Sequence, residues 1–312
     1  MIIIRKKEVP MSRAPSVALA LALAVMPPTQ AAAQPRVLAS VGMIADPMAR
    51  IAGDCAQVSA LMGPDTDPHL FQPRPSDIRA LQQADVVLAV GLGLEGRLGD
   101  LLARLGAQRS VVLLGETLPP ETLLDADGAP DPHLWMDPAL WALTFPAMAA
   151  TLPDCPGIAE RLAAEIARAQ ALDDWARASL ASIPAPVLVT GHDAFAYLAR
   201  AYGLENLAVQ GISTAAEVSV AEIDALARDV AARAVPAVFV EATLSPRSIR
   251  ALIEATQARG HALALGGELL TDALAQPGQP GATWPGMIVH NVTAITQALG
   301  GTVAVLPEGT MP

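Results

Sequence analysis

The chain is 312 residues long, 52% hydrophobic but only 3% aromatic and 16% charged, with a formal net charge of −11. That length fits one large or two ordinary domains, and the acidic balance argues against nucleic acid, which needs a basic face. Two cysteines, Cys55 and Cys155, are too few and too far apart for a cysteine-type zinc site, and sequence leaves open whether they form one disulfide.

The chain opens as an export signal. Arg5, Lys6, Lys7 and Arg13 precede the apolar run Val17–Val25, followed by Pro27, Pro28 and Ala31-Ala32-Ala33. This is the small-x-small pattern of a cleavage site before Gln34. The run is too short to span a bilayer, and no later run is long enough. Every lysine lies upstream of Met11, so Met11 is a rival start, with Arg13 alone as the positive region. Losing residues 1–33 removes four bases and the single acid Glu8, taking the charge from −11 to −14. With no cysteine at the cleavage point, the mature protein is expected in the periplasm, exported and not a lipoprotein.

After the signal, short apolar runs alternate with helical patterns. The runs are Val37–Val41, Val58–Met62, Val86–Val90 and Val111–Leu114, then Val187–Thr190, Leu207–Val209, Val238–Val240, Ala262–Leu265 and a weaker Thr302–Leu306. Continuous apolar runs suit strands buried on both faces of parallel sheets, so the chain reads as α/β. Between the two sets, residues 158–183 contain no glycine or proline, and Ile158, Leu162, Ile166, Ala169, Leu172 and Ala176 recur at helical spacing. Pro156 and Pro184 bracket this stretch, predicting one helix of roughly 40 Å at about 1.5 Å per residue. A packing helix of one large domain fits the pattern as well as a stiff connector does. The expected organisation is a signal peptide at 1–33, an N-terminal α/β lobe at 34–155, a connecting helix at 156–184 and a C-terminal α/β lobe at 185–312. Residues 115–131, rich in proline and glycine, read as a mobile rim loop whose acids Asp125, Asp127 and Asp131 carry no role.

The tetrapeptide Asp-Pro-His-Leu occurs twice, at Asp67–Leu70 and Asp131–Leu134, and holds two of only five histidines. Proline stiffens the backbone just before each imidazole. His69, His133, His192 and Asp272 each follow a strand-like run, where α/β sheets gather ligands beyond the carboxyl ends of their strands. Three neutral imidazoles and one carboxylate match zinc, and a bidentate carboxylate would extend the set towards manganese. Singly, His192 and Asp272 read as helix caps; together with two further histidines, a shared metal is the better reading.

The ordered motifs resemble the metal-binding solute-binding proteins of ABC importers for zinc, manganese and iron. They are Gly-Pro-Asp-Thr-Asp-Pro-His-Leu-Phe-Gln-Pro (63–73), Asp-Pro-His-Leu-Trp-Met-Asp-Pro (131–138), Thr-Gly-His-Asp-Ala-Phe (190–195) and Gly-Gly-Glu-Leu-Leu-Thr-Asp-Ala-Leu (266–274). The resemblance implies two parallel-sheet α/β lobes joined by a long rigid helix, with the metal site in the cleft between lobes. It implies His69 and His133 as ligands from the first lobe and His192 and Asp272 from the second. It also implies an ABC-type metal permease in the inner membrane as partner, with Zn2+ or alternatively Mn2+ as cargo. Histidine at position 192 is similar to zinc or broader-metal members, whereas the short, histidine-free loop before His133 departs from many zinc-specific ones. A monomer with no nucleic-acid partner is expected.

Other residues carry weaker readings. Glu241 and Arg247 read as an ion pair, beside the cleft or merely structural. Glu217 reads as a helix-start acid, His261 as a surface residue, His290 as packed, and Trp135 and Trp284 as core rather than a roof over the cleft. Two rival functions remain: a zinc hydrolase, although the chain has no His-Glu-x-x-His motif, and an α/β receptor for an organic solute.

Overall fold

The computed structural model describes residues 1–5, 7, 8, 34–106, 109–126 and 128–311. Two units separate, Met1–Ala33 and Gln34–Pro312. In the first, the described residues are exposed chain without helix or strand; the signal features at Val17–Val25 and Ala31–Ala33 lie outside the described residues.

The second unit starts with strand β1 (Arg36–Ala39), helix α1 (Gly42–Ala52), β2 (Gln57–Ala60), α2 (Pro75–Gln83), β3 (Val86–Ala89), α3 (Gly96–Gly106) and β4 (Ser110–Leu113). The strands pair in the order β2-β1-β3-β4, all parallel, with Val37 in register with Val58 on one side and Val86 on the other. The central strands bury Val37, Leu38 and Ala39, and Val86 to Ala89, as strands covered on both faces must. Helix α1 lays Met43, Ile44, Pro47, Met48 and Ile51 into the core at helical spacing.

Residues 115–131 are more ordered than their composition predicts. Single helical turns at Leu114–Thr117 and Pro120–Thr122 lead into an antiparallel hairpin, β5 (Asp125–Ala126) and β6 (Ala129–Pro130). Tyr197 ties the hairpin down: its hydroxyl accepts from Leu124 N–H at 3.0 Å and donates to the Asp131 carbonyl at 2.8 Å. Asp131 is therefore buried at 1% exposure, not an idle loop acid.

Two short helices, α4 (Pro138–Ala142) and α5 (Phe145–Ala149), lead to the long helix α6 (Ile158–Leu180), 23 residues and roughly 35 Å long. Beyond it come β7 (Val187–His192), α7 (Ala196–Tyr202), β8 (Glu205–Gln210), α8 (Val220–Ala232), β9 (Ala237–Glu241), α9 (Arg247–Gln257), β10 (Ala264–Leu269) and α10 (Trp284–Ala298). Here β7 pairs with β8 and β9 with β10, both parallel, and β7 lies beside β9. Each half of the unit is thus an α/β layer, and α6 packs against α1, α4 and α5 before it and α7 and α10 after it.

The buried face of α6 differs from its apolar stripe. Ile166 is 38% exposed, whereas Glu165 is 2% exposed. The cause is Arg50 of α1, which donates two bonds to Glu165 at 2.7 and 2.9 Å and two to Asp46 at 2.6 and 2.8 Å. Asp46 also accepts from the Trp284 N–H at 2.7 Å, so one guanidinium ties together α1, α6 and the start of α10. A charge buried with complete hydrogen bonding outranks a methyl stripe, because an unpaired buried charge costs far more than an exposed isoleucine.

Two strand readings change. The run at Ala262–Leu265 becomes β10 two residues later and continues through Gly266-Gly267, with a register irregularity between Leu265 and Gly267. Residues 302–306 form no strand. Their backbone is served by α6 and its C-terminal turn instead: Thr302 N–H donates to Ser182 Oγ, Ala304 N–H to Ser179 Oγ, and Trp175 Nε1 to the Ala304 carbonyl.

Cys55 and Cys155 form a disulfide across 100 residues of sequence, with Cα atoms 6.1 Å apart. It ties the turn after α1 to the segment leading into α6. Replacing both cysteines with serine is expected to lower the unfolding free energy by about 2–5 kcal/mol, read as a lower guanidinium midpoint against the oxidised protein.

Candidate metal centre

Both Asp-Pro-His copies fold alike. Asp67 Oδ1 accepts the His69 N–H at 2.9 Å, and Asp131 Oδ1 accepts the His133 N–H at 2.9 Å. This is the aspartate turn that closes on the residue two later, and it aims each imidazole from a fixed backbone. In the second copy the same Oδ1 also meets His133 Nδ1 at 2.7 Å, which leaves Nε2 facing inward.

His192 sits at the end of β7, inside the strand rather than after it. Its N–H donates to Glu241 Oε1 at 2.8 Å and its Nδ1 meets Glu241 Oε2 at 2.5 Å, so the last residue of β9 fixes both backbone and ring. At Gly191 a Cβ would stand 2.9 Å from Glu241 Oε1, so a larger residue there would have to displace the carboxylate that holds His192. Gly96 plays the same part beneath the first histidine: at φ +46, a Cβ would lie 2.5 Å from the His69 carbonyl oxygen.

Asp272 follows β10 on a doubly fixed backbone. Asn291 of α10, fully buried, accepts from Leu270 N–H at 2.9 Å and donates to the Leu270 carbonyl at 2.6 Å. Trp135 donates to the Thr271 carbonyl at 2.9 Å and packs edge-on against His133. Trp135 is thus both core, as its burial requires, and a brace between the second histidine and the aspartate. Trp284 donates in turn to the Trp135 carbonyl at 3.0 Å.

The structure brings all four sequence-selected residues together. His69 Nε2 and His133 Nε2 are 3.3 Å apart, His192 Nε2 lies 3.3 Å from Asp272 Oδ2, and His133 Nε2 lies 3.5 Å from Asp272 Oδ1. The edge from His69 Nε2 to Asp272 Oδ2 is longer, at 4.0 Å, and one donor atom from each residue falls within 4.8 Å of all the others. Bonds of about 2.0–2.1 Å at tetrahedral angles place donors roughly 3.3–3.4 Å apart; the 3.3 Å separations of His69 from His133 and of His192 from Asp272 Oδ2 match this, while His69 stands farther from that same oxygen, at 4.0 Å. His192 Nε2 and both Asp272 oxygens are buried without a hydrogen-bond partner. Buried polar atoms are rarely left so, and here they face one point, which a cation could occupy.

The charges respond to that arrangement. Burial opposes a charge on His133, but Asp131 and Asp272 outweigh it and hold the imidazole above its ordinary value. Burial likewise opposes a charge on His192, and Asp272 with Glu241 hold it well above. Burial pushes His69 down to about 4, with Asp272 only partly compensating. Asp272 itself, despite burial, is held far below the usual carboxylate range, first by His192 and then by His133.

Several weaker readings resolve differently. Glu241 pairs with His192 and not with Arg247, which is exposed and makes no ion pair among the described residues. Glu217 lies before the capping residue Ser219 of α8 and lines a surface cavity instead of a helix start. His261 is half-buried on the Val235 carbonyl and His290 half-buried on the Glu268 carbonyl, both remote from the four. Sequence reasoning missed Asp131 and Asn291 as supports. Asp131 had a visible signal, since it stands in the same place as Asp67 in the repeated tetrapeptide.

Residues 37–298 match the family described as zinc-uptake complex component A, periplasmic. The zinc-binding protein TroA of Treponema pallidum is 39% identical over 274 residues, covering 85% of this chain and 89% of the relative. The manganese-binding lipoprotein MntA of Bacillus subtilis is 36% identical over 275 residues, covering 85% and 90%. The solved structure of the periplasmic TroA superposes with a TM-score of 0.81 at 38% identity, over 85% of this chain and 99% of that one.

A metal held by these four side chains would have to displace protons from His133 and His192, whose raised values favour the charged form to higher pH than in a free imidazole. Zinc affinity is therefore expected to fall as pH falls, beginning above the free-imidazole value of about 6.5. The check is competition against a chelator across the range from about pH 8 to about pH 5; a flat profile contradicts it. Glu241→Ala is expected to weaken zinc binding about 10–100-fold, the usual cost of losing the partner behind a ligating histidine, in the same competition at fixed pH.

Proposed function

The chain belongs to the family of the periplasmic zinc-uptake complex component A, and from that premise we propose that it captures a divalent transition metal and delivers it to an ABC-type permease. The ligands in this reading are His69, His133, His192 and Asp272. What carries it is the convergence of three imidazole nitrogens with a buried carboxylate whose two oxygens have no other partner. Zinc is the favoured cargo, because three imidazole nitrogens and one carboxylate oxygen are a donor set that suits it. Manganese comes next, since Asp272 has a second free oxygen for a fifth bond.

We read the protein as a receptor rather than an enzyme. Four protein donors fill a tetrahedron and leave no open position for the water or substrate that catalytic zinc requires. Lobes at 34–155 and 185–312, with 156–184 as connector, are the organisation that fits: His69 and His133 then come from one lobe and His192 and Asp272 from the other. We also read it as a monomer, exported to the periplasm, with no nucleic-acid partner given its charge of −11.

Protein purified without added metal is expected to retain zinc on elemental analysis and to prefer it in a zinc–manganese competition. His69→Ala is expected to weaken zinc binding by more than about a hundredfold, beyond the cost of losing a supporting contact. Unchanged affinity in that variant would falsify the ligand assignment.

A further inference from the structure

The four donors are not held alike. His133 and His192 each have the outward ring nitrogen fixed on a buried carboxylate, and their side chains, like that of Asp272, have no exposure. His69 keeps 3% of its side chain exposed, and among the described residues no protein group bonds its Nδ1. Its place is set through the backbone, by the bond from its N–H to Asp67 Oδ1 and by the close approach of Gly96.

The other oxygen of Asp67 is engaged from across the cleft. Thr214 Oγ1 donates to Asp67 Oδ2 at 2.6 Å over a sequence separation of 147 residues. Thr214 lies between β8 and α8, in the half of the chain that carries His192 and Asp272. A second crossing, Gln276 Nε2 to Asp65 Oδ2 at 2.7 Å, reaches the same loop but is exposed to solvent, which weakens it. A cavity of about 570 Å³ opens against the Thr214 contact, lined by Asp67, Leu70, Thr214 and Glu217 among others.

We propose that Thr214 is a positioning residue for His69, and that its bond to Asp67 governs how fast the bound metal leaves. This rests on the ligand assignment above. One carboxylate serves both functions: Oδ1 holds the His69 backbone, and Oδ2 holds the opposite half of the molecule. When Thr214 lets go, Asp67 can turn and His69 loses its fixed acceptor. His69 is then the first ligand to release, while His133, His192 and Asp272 stay anchored in the interior. Thr214 Oγ1 bonds Asp67 and not a donor atom, so capture is expected to depend on it weakly. Release requires it to break first.

The test is stopped-flow release of zinc into excess chelator, with His69→Ala as the reference for the ligand set. Thr214→Val keeps the side chain's size and removes the hydroxyl. It is expected to release zinc about tenfold faster, the lower end of what a charge-assisted hydrogen bond is worth. Its association rate constant should stay within about twofold, as for changes that act on the bound state. Thr214→Ser should restore the original release rate. Cobalt-substituted Thr214→Val should absorb as the unaltered protein does, because all four donors remain. Release at the unaltered rate in Thr214→Val, or equally fast release in Thr214→Ser, overturns the role of the hydroxyl. If His69→Ala holds zinc as tightly as the unaltered protein, the ligand assignment falls and takes this proposal with it. If His69→Ala loses zinc while Thr214→Val releases it normally, Thr214 alone is wrongly assigned.

Discussion

Asp272 is buried, and the groups that approach its two oxygens are the imidazoles of His69, His133 and His192. A carboxylate placed so is costly unless positive charge meets it, since water no longer solvates it. Burial opposes a charge on His133 and His192, yet the carboxylates around them hold both above their ordinary values, so a proton there is favoured as a partner for Asp272. A divalent cation at this point would take over that role, so metal binding there would compete with protons. The carboxylates Asp131 and Glu241 sit behind the two rings and leave Nε2 of each facing the centre.

Such a centre needs a frame that does not relax around it, because donors free to move would turn away and find other partners. The frame is built from backbone. Aspartate turns fix His69 and His133, β7 and β9 bring His192 onto Glu241, and Asn291 with Trp135 hold the chain on either side of Thr271. Glycine at 96 and 191 lets the supporting groups come closer than a Cβ would allow. Farther out, Arg50 joins α1, α6 and α10 through Glu165 and Asp46, so the long helix is tied to both halves by charge as well as by packing.

Features that depend on neighbouring residues were legible in the sequence. The central strands β1, β3, β7 and β9 showed as apolar runs because burial on both faces leaves few polar positions, and the two Asp-Pro-His turns showed because an aspartate turn needs only three consecutive residues. His69 and His133 showed through the repeated tetrapeptide, and His192 and Asp272 because one ends β7 and the other stands just past β10. What stayed hidden joins distant positions. Glu241 looked like a partner for Arg247, six residues on, yet its partner is His192, brought alongside by the packing of β7 against β9. The stripe on α6 suggested that Ile166 faces inward, but an arginine 115 residues earlier draws in Glu165. The apolar run at 302–306 suggested a strand, but the hydroxyls of Ser179 and Ser182 already satisfy its backbone.

The unequal anchoring of the four donors fits a carrier better than a storage site would. Four donors fixed as firmly as His192 would bind well and release slowly, because no bond could break without disturbing the interior. Here three donors are held by groups inside the core, and the fourth depends on a loop whose carboxylate is shared with the opposite half of the chain. On His69, unlike His133 and His192, burial outweighs the neighbouring carboxylates and holds the ring down to about 4, so it is neutral at neutral pH. Its edge to Asp272 is the longest of the measured four, at 4.0 Å, and closing that edge draws the loop inward. Tight capture and an available way out then come from the same asymmetry, with the exit at the ligand that the interior holds least.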